Sequence, residues 1–362
     1  MSASARTRTT STPNAVGRPE RTGTAGGART GSAVAADAAG GGLPRPGVES
    51  LVRKSRRHEA LVSGWSEVSD TTRRVTVRWP RDHPFYTVDG RYSPLLFTES
   101  LRQALALLTH SIHHVPLGHR LGWEHIHSTV DPATLVIDPD PGTGTGTGTG
   151  TARGAGTGTR SSPHEDTVTL LVTDLSVRRR RMGSVHLASR IHAWRAGRPV
   201  GTAELAYSTH PPAVYDRLRG PYAHAGQAFA RALPLTPPVA AHRVGRSHDR
   251  DVVLSPTDTP HRWQLRVDVS HGVLFDHPHD HVPGMVLLEA AVQAAHACAD
   301  GPVVAVALET EFHRYVEFDR PCLLVAEPAM PDTAGRARVR VCATQEGRPV
   351  FSATVSTLPV HS

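Results

Sequence analysis

Lysine is almost missing from this 362-residue chain: Lys54 is the only one, so the net charge of +7 is carried by arginine. Cysteine is scarce too. Cys298, Cys322 and Cys342 make an odd set without Cys-x-x-Cys spacing, which excludes a disulfide framework and a zinc ribbon and points to a reducing cytoplasm. No apolar run reaches the length of a membrane span, and the first residues lack the apolar stretch of a signal peptide. A cytoplasmic protein with no membrane partner is expected. The arginines are dispersed and no helix-turn-helix pattern with a basic second helix is found, so no nucleic-acid partner is expected either. A positive field without those motifs suits acidic or phosphorylated partners.

What is there divides into two similar halves. Residues 1–47 hold scarcely a large apolar side chain and are expected to be disordered. A first unit is expected over 58–208. Arg73 to Trp79 alternates as a half-buried strand, and Leu95, Leu96, Leu101, Ala104, Leu105 and Leu108 mark a buried helix opened by Pro94. Strands are expected over Trp123–Val130, Thr134–Ile137, Thr167–Leu175, Met182–Trp194 and Val200–Tyr207, with a flexible Gly-Thr insertion at 142–158. Residues 209–241, rich in proline and alanine, read as a linker with a short helix near Ala225 to Ala232. A second unit is expected over 242–358, with strands at Trp263–Val269, Val303–Ala307, Glu311–Phe318, Cys322–Val325, Ala337–Thr344 and Val350–Thr357.

The stretch Phe275 to Gln293 stands at the centre of the second unit. Phe-Asp-His-Pro-His-Asp-His is followed by a Pro283-Gly284 turn and an almost wholly apolar helix, which carries Glu289 and Gln293 on one face. A carboxylate alone on so apolar a helix is costly to bury as an anion, and its pKa is expected to rise. The first half repeats this arrangement: Asp82-His83-Pro84 matches Asp276-His277-Pro278, Glu99 matches Glu289, and Gln103 matches Gln293. Gly197-Arg198-Pro199-Val200 returns as Gly347-Arg348-Pro349-Val350. One helix followed by mostly antiparallel strands, made twice, predicts an α+β fold in which a sheet wraps each helix.

These motifs resemble the helix-entry region of hotdog-fold acyl dehydratases and thioesterases. The doubled form, with Asp-His-Pro-His-Asp-His-Val-Pro-Gly-Met-Val-Leu-Leu-Glu-Ala, resembles the A-factor (AfsA-like) family that makes γ-butyrolactone autoregulators. The resemblance covers about residues 60 to 357 and implies a tandem, or double, hotdog. It also implies an acyltransferase that passes a β-ketoacyl group from acyl carrier protein to dihydroxyacetone phosphate, after which the ester cyclises toward a butenolide phosphate. Glu99, Arg102, Glu289 and His277 are then the candidate catalytic residues. His83, His279, His281, Gln103 and Gln293 are candidate substrate-binding residues. A hydroxyl nucleophile needs a general base, for which Glu99 or Glu289 is suited, and a phosphate needs a guanidinium, for which Arg102 lies one turn from Glu99. Sites in related enzymes form between two hotdogs, which sets His277, His279 and His281 opposite Glu99 and Arg102, and His83 opposite Glu289. The family's usual arginine three residues beyond the second Glu is Val292 here, which makes Glu99 with Arg102 the fuller pair.

No cofactor is expected. His277, His279 and His281 alternate, but they fall one residue short of the metallo-hydrolase spacing and Pro278 disfavours a central strand, so no metal is expected. Gln103 and Gln293 serve either the site or neighbouring backbone, and His110, His113, His114 and His119 read as loop or surface residues. A dehydratase or thioesterase on the same fold, and a ligand-binding homologue without turnover, stay open, as does homo-oligomer formation.

Overall fold

The computed structural model describes residues 30–32, 47–138 and 165–360. Most of the segment expected to be a disordered tail, and the whole Gly-Thr tract at 142–158, lie outside the described residues. Within that tail Thr30–Ser32 pairs antiparallel with the first strand of the body, so these three residues do not follow the expectation of disorder. An edge strand offers unpaired backbone groups that any extended segment can satisfy.

The first half contributes β1 (Val62–Glu67), β2 (Thr72–Pro80), helix α1 (Pro94–Ser111), β3 (Arg120–Val130), β4 (Glu165–Arg179), β5 (Val185–Arg195) and β6 (Arg198–His210). Helix α2 (Pro212–Arg219) and a short helix, Ala225–Ala230, follow. The second half contributes β7 (Leu254–Pro256), β8 (Arg262–Leu265), helix α3 (Gly284–Ala297), β9 (Val303–Phe312), β10 (Cys322–Ala329), β11 (Ala337–Gln345) and β12 (Arg348–Pro359). With Thr30–Ser32 at one edge these strands form one 13-stranded sheet in the order β1-β2-β4-β5-β6-β3-β9-β12-β11-β10-β8-β7. The order reads the same from either end if each strand is exchanged for its repeat partner. The halves meet where β3 pairs antiparallel with β9, with Ile126 opposite Thr310. Each half therefore wraps an antiparallel sheet around one helix, and the expected tandem hotdog is found.

Local chemistry explains both helices. Ser93 caps α1 by accepting from the Leu95 amide, Pro94 occupies the first turn, and Leu95, Leu96, Phe97, Leu101, Leu105 and Leu108 are buried against the sheet. In α3 the small residues Ala290, Ala291, Ala294 and Ala295 are fully buried and let the helix lie close to its strands. Turns Ala196-Gly197 and Glu346-Gly347 both have positive φ at each residue, the tight hairpin geometry that the repeated Gly-Arg-Pro-Val announced.

Three expectations change. Thr134–Ile137 is not a strand: Asp131 accepts from the Ala133 amide and starts a single 3-10 turn, Pro132–Leu135. Val303–Ala307 and the start of the segment at Glu311 are one strand, β9, with an irregularity between Ala305 and Ala307. The segment 209–241 is more than a connection, because α2 packs on the histidine loop of the second half.

Candidate active site

Each half builds the same polar clamp beneath its helix. Gln103 accepts from the Leu61 amide at 2.7 Å and donates to the Glu59 carbonyl and to Glu99, each at 2.8 Å. Gln293 accepts from the Val253 amide at 2.9 Å, donates to the Asp251 carbonyl at 2.8 Å and to Glu289 at 2.5 Å. Lys54 pairs with Glu99 at 3.1 Å, and Arg246, at the same spacing ahead of Val253 as Lys54 ahead of Leu61, grips Glu289 through two nitrogens. His83 Nδ1 accepts from the Phe85 and Tyr86 amides while Nε2 faces Glu59 at 3.5 Å. In the second half this place belongs to His271, whose Nδ1 accepts from Val273 and Leu274 and whose Nε2 meets Asp251 at 3.1 Å. His83 is thus the structural counterpart of His271 and not of His277; the matching Asp-His-Pro triplets are a coincidence of sequence.

The halves differ above the clamp. A cavity of about 410 Å³ is lined by Lys54, Glu99 and Arg102 from the first half and by Asp276, His277, His279 and His281 from the second. Arg102 donates twice to Glu99, at 2.8 and 2.7 Å. Burial works against the Glu99 anion, but the charges of Arg102 and Lys54 and the bonds from Arg102 and Gln103 outweigh it and hold the carboxyl well below the usual range. Glu99 is therefore a fixed anion and a weak base. Glu289, 1% exposed, is not among the residues lining this cavity, nor are Gln103, Gln293 and His83. Neither helix carboxylate is alone, so the premise that either is an unpaired buried acid does not hold.

The histidine loop contains two Asp-His dyads. His277 Nδ1 lies 2.6 Å from Asp276 Oδ1, and the other Asp276 oxygen accepts from the Ser55 amide at 2.8 Å. Burial opposes ionisation of Asp276, but the His277 bond, the Lys54 charge and the Ser55 amide bring its carboxyl down to about 2. The ionised partner sets the tautomer, with the proton on Nδ1 and Nε2 left as acceptor. His281 Nδ1 pairs with Asp280 at 3.1 Å. His279, between them, is pushed down to about 3, first by burial and then by its electrostatic interaction with the neighbouring His277 and His281 rings, so it is neutral at pH 7.

Sequence reasoning missed the residues that hold this loop. Tyr215 of α2 donates to Asp280 at 2.6 Å, and Arg219 donates to Asp280 at 3.0 Å and to both oxygens of Glu317. Arg219 also stacks over Tyr315, whose ring lies 4.7 Å from that of His281. Arg246 was missed as well, although Lys-Ser-x-x-x-Glu at Lys54 and Arg-Ser-x-x-x-Asp at Arg246 are a legible repeat. Among the described residues, Asp276, His277 and His279 each place a ligand atom within 4.8 Å of the others and could hold a metal. The donors are poorly disposed to it: both Asp276 oxygens are engaged, and the charges of Lys54 and Arg102 bear on Asp276 and His279.

The apolar side of the cavity is formed by Leu105, Leu121, Trp123, Met285, Leu287 and Phe312, with the start of α3 at Gly284 on its wall. A Cβ at Gly284 would meet Phe312 at 3.1 Å and Trp123 at 3.2 Å, so the helix end is fitted closely against these rings. The first turn of α3 has no side-chain cap, and its residues Gly284 and Met285 line the cavity, which puts the positive end of the helix dipole beside the site.

Two hotdog units, with one shared cavity that joins an apolar groove to buried acid, base and cationic groups, define the class of the protein. The sequence model of the A-factor biosynthesis hotdog domain matches residues 42–211 and 228–361, and the chain belongs to that family. A relative from Streptomyces virginiae named 2-oxo-3-(phosphooxy)propyl 3-oxoalkanoate synthase is 37% identical over 85% of this chain and 96% of its own. A Streptomyces griseus protein of the same name is 34% identical over 87% of this chain and 96% of its own. Among solved structures, a putative oleoyl thioesterase from Lactobacillus plantarum aligns at 12% identity with a TM-score of 0.43, covering 80% of this chain and 97% of that one. Among the described residues no helix is long and apolar enough to cross a membrane.

Proposed function

We propose that this chain is an acyltransferase that joins a 3-oxoacyl group, delivered as a thioester on acyl carrier protein, to the free hydroxyl of dihydroxyacetone phosphate. The observation that carries this reading is the shared cavity itself, in which the Asp276–His277 dyad faces the Glu99–Arg102–Lys54 cluster beside an apolar groove. The name borne by the relatives describes the ester such a reaction would give.

In this reading His277 Nε2 takes the proton of the acceptor hydroxyl as its oxygen attacks the thioester carbon, and Asp276 steadies the imidazolium that forms. The amides at the start of α3 receive the oxyanion of the tetrahedral intermediate. Collapse breaks the C–S bond, and the proton returns from His277 to the departing thiolate. Glu99 is too acidic to serve as the base; it fixes Arg102 and Lys54 at the cavity wall. His279 and His281 line the acceptor side. Glu289, Gln293 and Gln103 hold the fold under the site, and His83 orders the Phe85–Tyr86 backbone. A thioesterase or dehydratase needs only water or no acceptor, whereas the cationic lining of this cavity suits a phosphorylated one.

The test is incubation of purified protein with 3-oxoacyl thioesters and dihydroxyacetone phosphate, followed by mass spectrometry for the phosphorylated ester. Absence of that product over several chain lengths, on carrier protein and on small thiols alike, would sink the reading. Release of free acid instead would favour a thioesterase, and release of water a dehydratase.

A further inference from the structure

The carboxylates around the cavity are all engaged. Glu99 holds Arg102 and Lys54, Asp276 holds His277, Asp280 holds Tyr215 and Arg219, and Glu124 accepts from His186 and Ser208. Three guanidiniums on the wall, Arg53, Arg120 and Arg314, have no carboxylate partner among the described residues, and of these Arg53 and Arg120 lie close enough to act on each other's charge. Arg53 donates only to the carbonyls of Leu117 and His119, and its Nε is buried without an acceptor. Arg120 is exposed and lies 5.9 Å from the Tyr215 ring.

The backbone supplies a second, independent observation. Arg53 has a φ of +57°, in the left-handed region that disfavours side chains. Its repeat counterpart, directly ahead of Arg246 as Arg53 is ahead of Lys54, is Gly245 at φ +69°. The clamp that does not border the cavity thus uses the residue this conformation favours, and a Cβ at Gly245 would also meet His296 at 2.7 Å. The clamp that borders the cavity keeps an arginine there despite the strain, which fits a side chain retained for what it binds.

We propose that Arg53 and Arg120, with Arg102 beside them, form a subsite for a phosphate ester, and that its occupant is the phosphate of the acceptor. This rests on the acyltransferase reading for the identity of the acceptor. Arg53, Arg102 and Arg120 line one cavity, and burial with the neighbouring charges of Arg120 and Arg102 lowers the Arg53 pKa to about 10, while no carboxylate among the described residues pairs with Arg53 or Arg120. A phosphate monoester dianion supplies that charge, and paired guanidiniums match its oxygens. The carrier's phosphopantetheine arm is the other source of a phosphate ester in the same cavity.

Arg53→Gly is the sharpest variant, because glycine suits the backbone at this position and the fold should survive. Arg120→Gln removes the exposed partner. With a small-thiol donor that carries no phosphate, each variant should raise the KM for dihydroxyacetone phosphate about tenfold or more. Each should also cut by a similar factor the preference, in kcat/KM, for dihydroxyacetone phosphate over dihydroxyacetone. A penalty seen only with the carrier-bound donor would give the phosphate to the prosthetic arm and overturn the assignment. Unchanged KM in both variants would overturn it too. Calorimetric titration of dihydroxyacetone phosphate into protein without donor separates the two readings. Binding by wild type that both variants lose upholds the subsite even if no ester is ever formed; ester formation by wild type with unaltered binding in the variants removes the subsite and leaves the reaction standing.

Discussion

Arg246→Met tests whether the second helix carboxylate belongs to catalysis or to the fold. Glu289 is 1% exposed and Arg246 5% at the side chain, and the guanidinium also donates to the Phe85 carbonyl across the two halves. Removing the cation strands a buried carboxylate, which costs about 3–5 kcal/mol. Since folded proteins hold only about 5–15 kcal/mol in reserve, the urea midpoint should fall steeply. Adding Glu289→Leu removes the stranded charge. What remains lost is the Phe85 carbonyl's donor and the acceptor of Gln293, about 1 kcal/mol each, so the double variant should lie only about 1–3 kcal/mol below wild type. The single and double variants then differ in the order opposite to that of additive damage, which is the signature of a coupled pair.

Urea titrations followed by tryptophan fluorescence measure the stabilities, and ester formation at a temperature where every variant is folded measures function. Turnover per folded molecule in the double variant should stay within about twofold of wild type, whereas His277→Ala should lose about a hundredfold or more. A double variant that is folded yet silent would return Glu289 to the chemistry. An Arg246→Met variant as stable as wild type would refute the clamp.

Other outcomes follow from the same geometry. His279 has a folded pKa lowered to about 3, against about 6.5 in the unfolded chain, so the unfolded state binds the extra proton first as pH falls. Stability should therefore decline from about pH 6.5 downward, by about 1 kcal/mol at pH 5.5, and His279→Gln should flatten the urea midpoint between pH 7.5 and 5.5; an unaltered slope would contradict the assigned burial. Tyr215→Phe deletes a hydrogen bond to a charged acceptor worth about 1–3 kcal/mol, and if Tyr215 positions the loop, kcat/KM should drop about tenfold while the far-ultraviolet circular dichroism is unchanged. Gly284→Ala drives a methyl into Phe312 and Trp123, and should lower turnover together with a shift in tryptophan emission. Dialysis against EDTA should leave turnover intact; a loss restored by zinc would put a metal on Asp276, His277 and His279.

Much of the fold was legible because both halves spell it with the same local signals. Pro94 behind Ser93, the apolar faces of α1 and α3, and the Gly-Arg-Pro-Val turns each act over a few residues, where sequence and structure are tightly linked. The strand expected at Thr134–Ile137 failed for an equally local reason, the Asp131-Pro132 turn signal that outcompeted β-branched residues. The opposition of the histidine loop to Glu99 and Arg102 was also legible, through the doubled hotdog. Tyr215 and Arg219 were not. They sit in a stretch whose composition reads as linker, and their partners Asp280 and Glu317 are far along the chain, so no periodicity connects them.

The repeat itself admits a second account once the clamp is seen. Recurrence of Glu99–Gln103 as Glu289–Gln293 reads as recurrence of a catalytic pair. Yet each glutamine ties its carboxylate to two backbone groups of an entering segment, each carboxylate takes a cation from the same segment, and each histidine behind it orders its own turn. Both halves need this to bury a helix under a sheet, whether or not either does chemistry. On the proposed reading the differences mark function: Arg102 against Val292, Arg53 against Gly245, and a histidine loop present only ahead of α3. In a duplicated fold, the residues common to both copies are the first candidates for structure, and those unique to one copy are the first candidates for the site.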